Sequence, residues 1–230
     1  IIMLVLSNKI REIKYRYDNI CPHNQECNVS LSFGYDINSK ILIYYQIDDF
    51  AQNNRQYMDS KSQSQLTGKS VSLDEMVKSG DCDPIVKNKD LWRKNYTAAD
   101  GSSNLDPEDI AIPCGLLANS YIEDSFKNWT IDGKEIEVNE KDIAMKKDIN
   151  TYKNVELSKQ WIDMTNEHFM VWMRPAPFTN FRKLWGRIDK IEIDQQSTIW
   201  VTIINKTNYD SIKKYLILTT TNIFGGKNNF

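Results

Sequence analysis

Apolar and polar positions alternate along three early stretches of the chain. Ile13, Tyr15 and Tyr17 are interleaved with Glu12, Lys14 and Arg16, the two-residue period of a half-buried strand. Val29, Leu31, Phe33 and Tyr35 repeat it, as do Ile41, Ile43, Tyr45 and Ile47 after an Asn38-Ser39 turn. These last two runs predict a hairpin. The period then lengthens. Asp48 and Asp49 can cap or charge-complement a helix start, and Phe50, Ala51, Asn54, Tyr57 and Met58 fall on one helical face. The helix is expected to end near Gly68, with residues 60–72 reading as loop. Residues 74–112 form a polar connection, 114–126 a short helix or turn, and 131–160 exposed strands and loops. Alternation returns at Ile191, Ile193, Ile199, Val201 and Ile203, and Tyr215 opens one more strand.

The densest apolar segment runs from Asn166 to Ile188. Phe169 to Met173 reads as a buried strand that Pro175 and Pro177 stop. Phe178, Phe181, Leu184, Trp185 and Ile188 then recur at helical spacing. The expectation is a strand, a rigid corner and a short amphipathic helix, with most aromatics in the core. Strands dominate, no βαβ rhythm appears, and the fold class predicted is a mainly β, antiparallel sandwich with short helical insertions.

A chain of 230 residues with 40% hydrophobic composition is large enough for one sizeable domain or two small lobes. A formal net charge of −2 gives no electrostatic reason to expect nucleic acid as a partner. The opening run from Ile1 to Leu6 is too short to cross a bilayer, which takes about 20 residues. It reads either as a buried strand or as the end of a transmembrane helix. Gly225-Gly-Lys227 lacks the spacing of a P-loop, no GxSxG occurs, and the pairs Asp81/Asp83 and Glu108/Asp109 lack a full calcium loop. No catalytic residue, metal ligand or cofactor is assigned.

Cysteines stand at 21, 27, 82 and 114. Their spacing favours local pairs, Cys21 with Cys27 and Cys82 with Cys114; zinc held by Cys21, His23 and Cys27 is the competing reading. Disulfides would imply an oxidising compartment. Asn28, Asn95, Asn128 and Asn205 each begin an Asn-x-Ser/Thr sequon, which points to the lumenal or extracellular side. Arg182, Lys183 and Arg187 either face phospholipid head groups or a partner near the membrane, or stand as solvated charges on the outer face of the short helix. Lys227 joins them as a candidate contact.

Several segments carry a resemblance. Val171-Trp-Met-Arg174 with Phe181-Arg-Lys-Leu184 and Arg187-Ile188, Tyr44-Tyr45 followed by Phe50, Gln52-Asn-Asn-Arg55 and Tyr57, and Ser60-Lys61 with Ser64-Gln-Leu66 come in order with three more. Those are Cys82-Asp-Pro84, Ile112-Pro-Cys-Gly-Leu-Leu-Ala-Asn-Ser120 and Phe224-Gly-Gly-Lys-Asn228. Together they resemble, nearly end to end, the ectodomain of the Cdc-fifty/Lem-three family of accessory β-subunits of lipid-flipping type IV P-type ATPases. The resemblance implies a Cys82–Cys114 bridge and a second bridge in the Cys21–Cys27 region. It also implies that residues 1–6 end a first transmembrane helix and that 7–230 form one exoplasmic domain leading to a second. The chain departs from the family at Glu123, which stands where a sequon asparagine is usual, and at Ile143-Ala-Met-Lys146, which lacks an aromatic pair.

On that resemblance the chain is a non-catalytic subunit of a phospholipid-translocating ATPase. It would assist the partner's folding, its exit from the endoplasmic reticulum and its transport cycle, in the endoplasmic reticulum, Golgi, endosome or plasma membrane. The alternatives are a free-standing secreted β-sandwich that binds or adheres, and a secreted hydrolase.

Overall fold

The computed structural model describes residues 10–93, 96–207, 209 and 212–221. The chain divides into two compact units. One takes the residues up to Phe50, Ile122–Lys141 and those from Asn180 onward; the other takes Ala51–Tyr121 and Asp142–Thr179.

The first unit is built from strands β1 (Glu12–Arg16), β2 (Glu26–Leu31), β3 (Ile37–Asn38), β4 (Ile41–Asp48), β5 (Ser125–Ile131), β6 (Lys134–Glu135), β7 (Phe181–Ile188), β8 (Glu192–Ile193), β9 (Ile199–Ile204) and β10 (Lys213–Thr220). They form two four-stranded antiparallel sheets, ordered β1-β10-β4-β7 and β2-β9-β5-β6, with β3 and β8 as a separate pair. The predicted mainly β, antiparallel class is the one observed. Ile41, Ile43, Tyr45 and Ile47 all turn inward from β4 and are buried. From the other sheet Val29, Leu31, Val201 and Ile203 do the same. The sheets meet through aromatic rings: Phe126 of β5 lies edge-on to Trp185 of β7 at 4.8 Å and to Tyr17 at 5.6 Å. That edge-to-face arrangement suits the ring quadrupoles.

The predicted hairpin does not form. β2 pairs with β9, and β4 pairs with β10 and β7. The alternating runs were real strands, but alternation says which face is buried and not which neighbour is bonded. Between them the short β3 leaves one sheet and pairs with β8.

A buried ion pair fastens the two sheets. Lys214 of β10 is 2% exposed. Its ammonium donates to Asp124 Oδ2, Asn205 Oδ1 and the Thr207 carbonyl. Asp124 also accepts from the Tyr17 hydroxyl at 2.8 Å and from the Thr207 N–H at 2.8 Å. All three ammonium donors are therefore used, which is what a buried cation requires. Burial lowers the Lys214 pKa against the opposing pull of Asp124, and burial followed by the Asp124 charge raises that of Tyr17 well above its usual value.

The second unit carries helices α1 (Arg55–Asp59), α2 (Gln63–Leu66), α3 (Leu73–Ser79), α4 (Leu116–Asn119), α5 (Lys146–Thr151) and α6 (Glu167–Trp172). Its first helix begins later than expected. β4 runs through Asp48, Asp49 adopts φ +65, and the cap is Asn54, whose side chain accepts from the Tyr57 N–H. Residues 60–72 are not all loop, since α2 lies within them. α3 was absent from the reading of 74–112, although its Ser72 and Glu75 form a reciprocal capping box of a kind visible in sequence.

The segment from Asn166 to Ile188 is reversed from its expectation: helix, corner, strand. Asn166 caps α6 by accepting the His168 N–H at 2.8 Å, and Phe169, Trp172 and Met173 share its buried face. A run of five apolar residues carries no period, so length and caps decide it. Phe181 to Ile188 mimics a helix because β7 is bulged. Tyr44 opposes Leu184 while Ile43 opposes Gly186, so Trp185 is an extra residue. The inward parity therefore passes from Phe181, Lys183 and Trp185 to Gly186 and Ile188. Phe178, placed in the core by the periodicity, is 73% exposed at the corner. Gln52 and Asn53 hold that corner by bonding the Ala176 N–H and the Pro177 carbonyl.

Neighbouring lysines of β10 test the fastening. Lys214→Met leaves Asp124 buried and unpaired and is expected to cost about 3–5 kcal/mol. Lys213, paired with Asp49 in solvent, should cost less than about 1 kcal/mol on mutation to Ala. Denaturant midpoints of the two variants check the contrast.

Candidate functional site

Within the second unit, the resembling segments Ser60-Lys61, Ser64-Gln-Leu66, Cys82-Asp-Pro84 and Val171-Trp-Met-Arg174 bond or bridge to one buried turn, residues 111–120. Cys114 is bridged to Cys82, with Cα atoms 5.5 Å apart, and Cys21 to Cys27 in the first unit, 5.3 Å apart. The zinc reading of Cys21 and Cys27 is thereby replaced. Closing the longer loop is worth roughly 3–4 kcal/mol by chain entropy.

Gly115 sits at φ +98 directly against the backbone of Ser60; a Cβ there would lie 2.2 Å from the Ser60 carbonyl oxygen. That close approach lets one serine serve several partners. Its hydroxyl accepts from the Leu116 N–H at 2.8 Å and donates to the Asp83 carbonyl at 2.7 Å, while its carbonyl accepts from the Leu117 N–H. Gln65, fully buried, donates to the Ala111 carbonyl at 3.1 Å and accepts from the Cys114 N–H at 2.9 Å. Two indoles close the turn. Trp161 Nε1 donates to the Pro113 carbonyl at 2.7 Å and Trp172 Nε1 to the Leu117 carbonyl at 3.0 Å. Ser120 meets the Tyr57 hydroxyl at 2.5 Å, and Asn119 accepts from the Trp92 N–H. Burial pushes the Tyr57 pKa up to about 12, so the phenol stays neutral. The turn is a hydrogen-bonded scaffold in which Asn119 Nδ2 is buried without a partner among the described residues.

The basic residues predicted as contacts are spread by β7 over two faces, not along a helix. Arg182 is held by Glu12, at 2.8 and 3.0 Å, and by Gln46. Arg187 bonds Asp189 and the Lys141 carbonyl. Lys183 turns inward beside Tyr45 and is 6% exposed, with its pKa lowered to about 8 by burial. It does not belong to an exposed contact patch. Lys227 lies outside the described residues, as do Ile1 to Leu6 and Gly225-Gly226.

The sequons part in the same way. Asn28 and Asn128 are exposed on β2 and β5, and Asn95 is outside the described residues. Asn205 is 6% exposed; its Nδ2, the atom a glycan would occupy, donates to the Cys21 carbonyl at 2.9 Å, and its Oδ1 binds Lys214. A glycan there is incompatible with this fold, which corrects its assignment as an acceptor. Sequence reasoning missed the Lys214–Asp124 pair and the role of Trp161, since neither stands in a local pattern. Gln65 did lie inside a recognised segment. Among the described residues no cluster of His, Cys, Asp or Glu is arranged to hold a metal, and no helix is long and apolar enough to cross a membrane.

Comparison with known proteins extends the resemblance. The profile of the LEM3 (ligand-effect modulator 3) family / CDC50 family matches residues 3–230. The chain is 28% identical to "Putative ALA-interacting subunit 4" of Arabidopsis thaliana, covering all of this chain and 71% of that protein. It is 26% identical to "Cell cycle control protein 50A" of Bos taurus over 99% of this chain and 71% of the relative. It is also 26% identical to "Phospholipid-transporting ATPase accessory subunit CRF1" of Saccharomyces cerevisiae, over 89% of this chain and 53% of the relative.

Two outcomes follow for the scaffold and the buried cation. Gly115→Ala and Gly133→Ala both put a side chain at positive φ, but only Gly115 faces backbone, whereas nothing lies within 4 Å of a Cβ at Gly133. Gly133→Ala should cost about 1 kcal/mol, and Gly115→Ala should leave little folded protein at 37 °C, read by secretion yield and circular dichroism. Lys183 has a folded pKa below its unfolded value, so the unfolded state binds more protons from about pH 8 to about pH 10.5 and stability rises with pH across that window. From pH 7.5 to 9.0 the gain should be about 1 kcal/mol, and Lys183→Met should abolish it, as measured by urea midpoints.

Proposed function

Because this chain belongs to the LEM3/CDC50 family, we propose that it is the non-catalytic accessory subunit of a phospholipid-transporting type IV P-type ATPase. The observation that carries the reading is the family match from residue 3 to residue 230, joined to relatives named as accessory subunits of such ATPases. Lipid movement and ATP hydrolysis belong to the partner, and this chain supplies a folded surface to it.

Three features support a lumenal or extracellular position for residues 7–230. Two disulfides use every cysteine, which suits an oxidising compartment. Two exposed sequons, Asn28 and Asn128, are open to modification. The Thr220 N–H donates to the Arg11 carbonyl at 2.9 Å, and the Arg11 N–H donates to Thr220 Oγ1 at 2.9 Å. The two ends of the described chain therefore lie side by side, an arrangement suited to a domain carried on neighbouring membrane helices.

The mechanism is linkage. A surface that binds only the folded ATPase adds RT ln(1 + [L]/Kd) to its stability, about 2.7 kcal/mol at a hundredfold excess over Kd. Such a term favours maturation and exit from the endoplasmic reticulum. Stiffness of the bridged turn reduces the ordering cost of the interface.

Purification of the full-length protein from native membranes in mild detergent should recover a P-type ATPase in near-equal amount. Recovery of the chain without any such ATPase contradicts the proposal. Cys114→Ser is expected to reduce the yield of complex several-fold, and an unchanged yield would contradict a supporting role for the bridge.

A further inference from the structure

We propose that a fork in the sheet margin between β6 and β7 is a docking cleft for one extended segment of the ATPase partner, with apolar side chains turned inward and basic ones on its flanks. The proposal rests on the accessory-subunit reading above and names a surface that serves it.

The fork comes from a ladder that starts and then stops. Past β6 the Ile136 N–H donates to the Trp129 carbonyl of β5, and Asn139 exchanges two backbone bonds with Arg187 of β7, at 2.8 and 2.9 Å. Backbone groups of an antiparallel strand alternate between its two sides. Glu135, Glu137 and Asn139 therefore present theirs on the side away from β5. Continued from Asn139 and Arg187, the register would bring Glu137 opposite Asp189 and Glu135 opposite Ile191. Neither pair forms. The N–H groups of Glu137, Asp189 and Ile191 have no partner among the described residues, and a cleft of about 490 Å³ opens between the two segments.

The closed end of the fork is held in place. A Cβ on Gly186 would lie 2.9 Å from Val138 Cγ1 and 3.2 Å from the Asn139 carbonyl oxygen, so glycine lets this segment lie against β7. Asp189 accepts from Asn139 Nδ2 at 3.2 Å and from Arg187 Nε at 3.1 Å. Beyond the cleft, β8 is held by its pairing with β3. Both open edges are thus fixed by the fold. A peptide strand added to such an edge gains main-chain hydrogen bonds, and the side-chain pockets beside it select its sequence.

The lining points to the occupant. Ile188 and Ile191 are buried, Ile131 and Ile136 half-buried, and all four line the cleft. They suit apolar residues at alternate positions of a guest strand. On the rim Glu135, Glu137 and Glu192 are exposed, form no ion pair among the described residues, and outnumber Lys134 and Lys190. An acidic rim repels anionic head groups, and in a second copy of this chain it would meet its own like charge. A partner segment with Lys or Arg beside its apolar residues matches both the floor and the rim.

Full-length protein expressed with its ATPase and kept in native membranes provides the test. A benzophenone amino acid in place of Glu137 should photocross-link to one ATPase segment carrying Lys or Arg beside apolar residues, identified by peptide mass spectrometry. The same group in place of Glu26, exposed on β2, should not reach that segment. Glu137→Pro removes an N–H that has no partner in the free subunit, so it should lower the recovered ATPase several-fold while shifting the free subunit's Tm by less than about 2 °C. Glu137→Lys should also lower recovery several-fold, and Glu26→Lys should not. Cross-links to lipid, to a second copy of this chain or to no protein would each overturn the inference. So would the same cross-link from position 26, or full ATPase recovery with both Glu137 variants. When the unsubstituted chain still recovers the ATPase, such results overturn this inference alone. If the unsubstituted chain recovers no ATPase, the functional proposal fails and this inference falls with it.

Discussion

A buried backbone without a sheet to pair it is the constraint on which the second unit depends. Peptide N–H and C=O groups removed from water must find partners, and the turns of residues 51–121 and 142–179 have little ladder to offer. Side-chain amides take that role, since each can donate and accept at once. Gln65 spans Ala111 and Cys114. Gln160 binds the Asn154 side chain, the Ile162 carbonyl and the Val155 N–H. Gln52 holds Ala176. Each substitutes for a strand neighbour, and truncating Gln65 or Gln160 would leave two or more groups unpaired, at roughly 1–3 kcal/mol per group. The Cys82–Cys114 bridge and the Gly115 contact with Ser60 keep those amides in reach of their targets.

The first unit solves the same problem with sheets, and its difficulty is different. Two stacked sheets hold together through apolar contact alone, yet here a charged group, Lys214, crosses from one to the residues beside the other. Such a pair adds little net stability over an apolar replacement, but it tolerates few alternative pairings. The same network consumes Asn205, so a position that reads as a glycan acceptor serves the core. Each unit, taken by itself, is tied together by buried polar groups. That suits a subunit whose work is to present a preformed surface.

Much of the sheet fold was legible because strands of half-buried sheets alternate. The runs at Ile13, Val29, Ile41, Ile199 and Tyr215 all fall on strands. Their pairing was not legible, because period says nothing about the neighbour; β2 and β4 went to different sheets. The segment Phe169 to Ile188 misled in both halves for separate reasons. Its helix is apolar on more than one side, and its strand carries a bulge that imitates a three-to-four residue spacing. Of the candidate site, the cysteine pairs were readable from separation along the chain. The fates of Lys183 and Asn205 were not, because burial at a polar position depends on contacts from distant segments.

Residues 60–66 and 111–120 form the hydrogen-bonded scaffold of the second unit. Amide hydrogen exchange of the full-length protein, alone and assembled, measures this most directly. Residues 60–66 and 111–120 should be strongly protected in both states, with the protection gained on assembly falling elsewhere. Rapid exchange of 111–120 in the free protein, with protection only in the complex, would contradict the account and make that turn the contact surface.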